Sequence, residues 1–164
     1  MPSRALVTGG TGRLGSAVAA RLRAEGWQVV AAGTLDGDVS RPEEARALVE
    51  RAAAELGGLD LLVNAAAAGF APKPFADVTE ADFDAAFGAT AKGSFFVTQA
   101  AAPHLRSSRG VVVMIEDVAA YQPWPSFAAH IGDVCSQRLN TPGIDHFFDR
   151  YCGPDSAFKG REPW

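Results

Sequence analysis

The sequence predicts an α/β domain with a doubly wound, mostly parallel sheet, shortened relative to a full sheet of that kind. Three observations predict it: a glycine turn joining a short apolar strand to a helix, an alternation of strand-like and helix-like stretches up to about residue 115, and a gap after the second strand too short for a crossover helix.

A chain of 164 residues lies in the single-domain range and is long enough to bury a core. Hydrophobic residues make up 48% and charged residues 21%, far from the regime of disordered chains. The net charge of −4 comes from interspersed acids and bases, so no basic footprint for nucleic acid and none for an anionic membrane stands out, and a small or neutral partner is expected. Met1-Pro2-Ser3-Arg4 leads directly into Ala5-Leu6-Val7, which lacks the plan of a secretory signal, and no apolar run reaches the roughly 18 residues that span a bilayer. With only Cys135 and Cys152, a disulfide framework is not expected, and the cytoplasm is the expected compartment.

Ala5-Leu6-Val7 reads as a buried strand ended by Thr8-Gly9-Gly10-Thr11-Gly12. Leu14, Val18, Ala19 and Leu22 recur at helical spacing and predict a helix from Leu14 to Ala24, stopped by Gly26. Trp27 to Ala32 is the second strand, completing a strand-helix-strand unit of the size a nucleotide-binding half needs. The few residues between Ala32 and Ser40 cannot hold a crossover helix, so either a third strand is missing or the next strand pairs elsewhere.

Ser40-Arg41-Pro42-Glu43 carries a Ser-x-x-Glu capping box, opening a helix to about Leu56, and Leu59 to Val63 follows as a strand. Thr79-Glu80-Ala81-Asp82 is a second box; one long helix is expected through Phe83, Phe87, Phe95, Phe96 and Leu105, with Gly88 and Gly93 weakening its middle. The continuous apolar run Gly110 to Ile115 predicts a strand at the centre of a sheet. After His130 alanine nearly disappears and no period of 2 or 3.6 persists, which divides the chain into a domain over 1–130 and an irregular tail over 131–164.

A glycine-rich turn between strand and helix lets backbone N–H groups approach a phosphate, and the helix N-terminus adds a favourable dipole. Thr8, Gly9, Gly10, Thr11, Gly12, Arg13, Leu14 and Gly15 are the candidate residues, and 10–15 also satisfies Gly-x-Gly-x-x-Gly. The segment Leu6 to Gly15 resembles the Thr-Gly-x-x-x-Gly-x-Gly signature of short-chain dehydrogenases/reductases, with Arg13 in place of one glycine, as in the family's pteridine-reductase branch, which uses NADPH. Gly37-Asp38-Val39-Ser40 is similar to the family's Asp-Val-[ST], which contacts adenine, and Leu61 to Ala67 is similar to its Asn-Asn-Ala-Gly, with Asn64 and Ala66 agreeing. Similarity runs from residue 4 to about 130 and implies a Rossmann-like NAD(P)-binding domain for carbonyl/alcohol hydride transfer.

The resemblance adds Asp38, Val39, Asn64, Ala65 and Ala66 to the cofactor set. NAD users place an acid about twenty residues after the glycine turn. Gly33 holds that position and Asp36 comes late, so with Arg13 the expected cofactor is NADP, NAD being the alternative.

Family catalysis uses Tyr-x-x-x-Lys, the Tyr as acid/base with its pKa lowered by the Lys. Neither tyrosine fits: Tyr121 is followed four on by Pro125, and Tyr151 by Asp155. Laid along the family pattern, the Tyr position falls at His130, the Lys position at Val134, the Ser position at Asp117 and the helix Asn position at Thr90. An imidazole can shuttle a proton near neutrality, so Asp117 with His130 is the candidate acid/base pair. The competing reading, favoured by the missing Lys, makes His130 an incidental side chain. His130, Cys135, His146 and Cys152 fit no compact zinc spacing, so no metal is expected.

The family's further strands and substrate loop are not recognisable after His130. The open readings are a reductase with altered chemistry, a catalytically silent nucleotide-binding or interaction module, and a truncated or frame-shifted derivative. A sheet short at both ends exposes edges and apolar helix faces, so self-association, as a homo-oligomer or as an aggregate, is expected.

Overall fold

The computed structural model describes residues 3–69 and 72–116. Its elements run β1 (Arg4–Thr8), α1 (Arg13–Ala24), β2 (Gln28–Ala32), α2 (Pro42–Leu56), β3 (Leu61–Asn64), a 3₁₀ turn (Phe75–Asp77), α3 (Glu80–Phe87), a π turn (Gly88–Lys92), α4 (Gly93–Ser108) and β4 (Val111–Met114). All strand pairs are parallel, in the order β2-β1-β3-β4. The chain moves outward from β1 to β2, then returns past β1 to β3. The gap after Ala32 is thereby resolved: no strand intervenes, and the strand after α2 pairs with the far side of β1, Leu6 beside Leu62.

Alternation along the strands sorts the core into two layers. Leu6, Leu62, Val30 and Val112 face α2 and α4, where they meet Leu48, Val49, Ala52, Val97, Ala101 and Leu105. Val7, Val63, Val29, Ala31 and Leu61 face α1, where they meet Val18, Ala19 and Leu22. The helices therefore cover both faces of the sheet, as a doubly wound fold requires.

Several expectations change. Leu14, placed on the apolar stripe of α1, is exposed, and the stripe runs through Gly15, Val18, Ala19 and Leu22 instead. The Ser40 capping box does not form: α2 starts at Pro42 with Arg41 as N-cap, and the Ser40 N–H donates to Asp38 Oδ1 at 3.0 Å. The reach back from the helix comes from Glu44, whose Oε2 accepts from the Asp38 N–H at 2.7 Å. The Thr79–Asp82 box does form, with both reciprocal hydrogen bonds. The single long helix is interrupted by the π turn, which packs against the loop after β2: a Cβ on Gly88 would lie 3.4 Å from Ser40 Cβ, and one on Gly93, the first residue of α4, would lie 3.0 Å from Val39 Cγ2.

Among the described residues β4 is an edge strand rather than a central one, with Val111 and Val113 exposed. An all-apolar run marks a strand able to be covered on both faces, but cannot name its neighbours.

At the opposite end of the sheet, Arg4 and Asp60 join the start of β1 to the turn before β3. Arg4 Nε donates to Asp60 Oδ2 at 2.8 Å and Nη2 to Oδ1 at 2.8 Å, while the Arg4 N–H donates to Oδ2 at 2.9 Å. These hydrogen bonds, with the charge of Arg4, hold the Asp60 carboxyl below the usual carboxylate range. An acid depressed in the folded state contributes stability above its unfolded pKa, about 3.9 for Asp, and loses it as pH falls through the folded value. Asp60→Asn is expected to lower Tm by several degrees at neutral pH, with the gap to the parent chain closing in acid; equal calorimetric Tm values at neutral pH would refute a stabilising role.

Candidate nucleotide site

β1 ends in Thr8, buried against β3. The Ala65 N–H donates to both the Thr8 carbonyl and Thr8 Oγ1 at 3.3 Å, so the carboxyl ends of β1 and β3 are tied together. The next residue, Gly9, has φ +62°, and a Cβ there would lie 2.4 Å from the Ala65 carbonyl oxygen. Only glycine satisfies both conditions. The turn closes with the Gly12 N–H donating to the Gly9 carbonyl at 2.9 Å, and Gly12 becomes the N-cap of α1. A Cβ on Gly15 would lie 2.2 Å from that same carbonyl oxygen, so the helix sits directly on the turn.

The first turn of α1 has no side-chain cap and no acidic residue. Its free N–H groups and the positive end of the helix dipole lie beside a cavity of about 260 Å³. The glycine turn lines the cavity with Thr8, Gly9, Thr11 and Gly12; the loop after β2 adds Gly33, Thr34, Gly37, Asp38 and Val39; the end of β3 adds Ala65, Ala66 and Ala67; Ala89 comes from the π turn. The cavity lies where the strand order reverses, between β1 and β3, the place where open parallel sheets bind ligands. Such a cradle accepts an anionic group through backbone donors.

Asp38 is the one charged side chain among the described lining residues. Hydrogen bonds from the Ser40 hydroxyl and N–H, with the charges of Arg41 and Lys92, hold its carboxyl below the usual range. It is therefore an acceptor fixed at one end of the cavity.

Of the residues expected from the sequence, Thr8, Gly9, Thr11, Gly12, Asp38, Val39, Ala65 and Ala66 line the cavity. Gly10 and Gly15 shape the turn from behind, and Arg13 and Leu14 are exposed on the first turn of α1. Asn64 lies beneath, buried: its Nδ2 donates to Thr98 Oγ1 at 3.0 Å and contacts Met114 Sδ at 3.3 Å, which makes it a support for the strand end. Thr90, at the family's Asn position, is buried and its hydroxyl donates to the Ala86 carbonyl. Asp117 and His130, like Cys135, His146 and Cys152, lie outside the described residues. Thr34, Gly37, Leu48 and Ala89 were not foreseen as lining residues; only their proximity in the fold reveals them. No helix among the described residues is long and apolar enough to cross a membrane.

A glycine turn at the switch point of a doubly wound parallel sheet defines a Rossmann-type fold. A family model described as enoyl-(acyl carrier protein) reductase matches residues 17–132. The 4-formylbenzenesulfonate dehydrogenase of Comamonas testosteroni is 32% identical, over 89% of this chain and 67% of its own length. Carbonyl reductase [NADPH] 2 of Sus scrofa is 32% identical, over 77% of this chain and 58% of its own. The solved structure of a 7α-hydroxysteroid dehydrogenase, complexed with NADH and 7-oxo glycochenodeoxycholic acid, shares the fold with a TM-score of 0.70 at 24% identity, over 82% of this chain and 61% of that one. The chain belongs to the short-chain dehydrogenase/reductase family of oxidoreductases, and it spans between about half and two-thirds of the length of such relatives.

Gly9→Ala is expected to destabilise the fold by about 1–3 kcal/mol through backbone strain alone. Gly12→Ala, whose Cβ would lie 3.2 Å from the Gly9 carbonyl oxygen, is expected to be much milder. Denaturant unfolding of the two variants checks the order; equal losses would show that the turn is not held against Ala65.

Proposed function

We propose that this domain binds a nicotinamide dinucleotide on the Gly9–Gly12 turn, NADPH in preference to NADH, and that its hydride-transfer chemistry is impaired. The observation that carries the binding is the uncapped, acid-free first turn of α1 beside the cavity at the β1/β3 switch point. Backbone donors of the turn and of α1 would hold the pyrophosphate, and Asp38 and Val39 the base. When bound, the cofactor supplies a hydride.

The phosphate preference rests on where the carboxylates are. A Cβ on Gly33, at the end of β2, would lie 2.3 Å from Thr11 Oγ1, so an acidic side chain cannot be housed there without moving Thr11. Asp36 does not take its place: its Oδ2 accepts from the Gly33 N–H at 2.8 Å. Neither residue therefore offers a ribose hydroxyl the carboxylate that NAD users place at the end of β2. The exposed Arg13, without an ion pair among the described residues, supplies a cation on the adjacent first turn of α1.

The missing Tyr-x-x-x-Lys supports impaired chemistry, since no residue of the required type follows Tyr121 or Tyr151 at the required spacing. The same observation favours a second reading, a catalytically silent nucleotide-binding module. The two separate in one assay: slow NADPH-dependent carbonyl reduction that responds to substitution of Asp117 or His130 supports the first, and tight binding without turnover supports the second.

Calorimetric titration tests the binding. NADPH is expected to bind more tightly than NADH, with Arg13→Ala narrowing the difference by about tenfold, or 1.4 kcal/mol, and Gly9→Ala weakening both. A folded chain that binds neither dinucleotide would overturn the proposal.

A further inference from the structure

With no strand between it and α2, β2 is an edge of the sheet among the described residues. The Gln28 N–H donates to the Ser3 carbonyl and the Ala32 carbonyl accepts from the Gly10 N–H, so residues 28 and 32 point toward β1. By the alternation of a strand, the backbone groups of Val29, Ala31 and the Gly33 N–H point away from it. Two side chains close this outer edge. Arg23 of α1 donates through Nη2 to the Val29 carbonyl at 2.9 Å, and Asp36 accepts from the Gly33 N–H at 2.8 Å. Each plug has the polarity its target needs: a cationic donor on a carbonyl, an anionic acceptor on an N–H. Ala31, midway between them, keeps its outer N–H and carbonyl free among the described residues.

This edge is self-complementary. An antiparallel pairing of β2 with β2 of a second copy, on a two-fold axis at Ala31, sets Ala31 against Ala31 and Val29 against Gly33. At the Val29–Gly33 pair the bond from the Gly33 N–H to the Val29 carbonyl joins the two atoms that Arg23 and Asp36 occupy, while the Gly33 carbonyl stays in its own turn, accepting from the Asp36 N–H at 3.0 Å. Once displaced, Arg23 of each copy comes beside Asp36 of the other, so the rim is complementary in charge. Leu35, fully exposed in the turn at the same end, adds apolar surface beside the edge.

We propose that the outer edge of β2 is a dimerisation surface for a second copy of this chain, and that Arg23 and Asp36 gate it. The plugged edge leaves too short a run of free backbone groups to recruit a strand; the unplugged edge pairs into a continuous sheet across the two-fold axis. Nucleotide binding is not required for this step.

The test is the molar mass of the purified chain by light scattering over a dilution series. The double variant Arg23→Ala with Asp36→Ala is expected to have twice the mass of the parent chain at the same concentration, dissociating on dilution. Adding Ala31→Pro, which removes the central outer donor at an edge position that tolerates proline, is expected to restore the parent mass. Far-UV circular dichroism confirms that each variant is folded. A folded double variant with the parent mass overturns the proposal, and so does an increase in mass that Ala31→Pro leaves intact.

Discussion

The carboxyl end of β1 lies against that of β3 so closely that the backbone of Gly9 approaches Ala65 within the space a side chain would fill. Much of the structure depends on this approach. It requires glycine at the turn and sits directly under the first turn of α1, which has no side-chain cap beside the cavity. Thr8 and Asn64, both buried, tie the strand ends through Ala65, Thr98 and Met114. At the other end of the same strands, Arg4 and Asp60 fix the register from the amino side. The central pair of strands is thus clamped at both ends, and its core residues Leu6, Val7, Leu62 and Val63 are fully or almost fully buried between the two helical layers.

The direct connection from β2 to α2 has consequences at the site as well as in the sheet. It brings Gly33, Thr34, Gly37, Asp38 and Val39 onto the cavity wall and lets Gly88 of the π turn and Gly93 of α4 pack on the same loop at Ser40 and Val39. It also gives Asp36 a purpose that a loop acid lacks on sequence alone. The carboxylate serves the Gly33 N–H, and the Asp36 carbonyl accepts from Arg51 of α2, so the turn is fastened to both the strand and the helix behind it. Asp36, which comes just after the position where NAD users place an acid, is in space part of the strand edge.

The sequence by itself determined the elements and the chemistry of the turn. Strand runs such as Ala5-Leu6-Val7, the helical spacing of Val18, Ala19 and Leu22, and the Thr79–Asp82 box are local patterns, and local patterns act through backbone geometry and nearby side chains. Most of the cradle was legible for the same reason, because the turn residues are contiguous. The tertiary structure decided what contiguity cannot express. It decided that the strand after α2 pairs with β1, that β4 is an edge among the described residues, and that Ser40 serves Asp38 instead of capping α2. It also drew Thr34, Leu48 and Ala89 to the cavity wall and assigned Arg23 and Asp36 to the edge of β2. The physical reason is common to all of these: a backbone donor or an apolar face specifies that it must be satisfied, and only the arrangement of distant elements specifies by what.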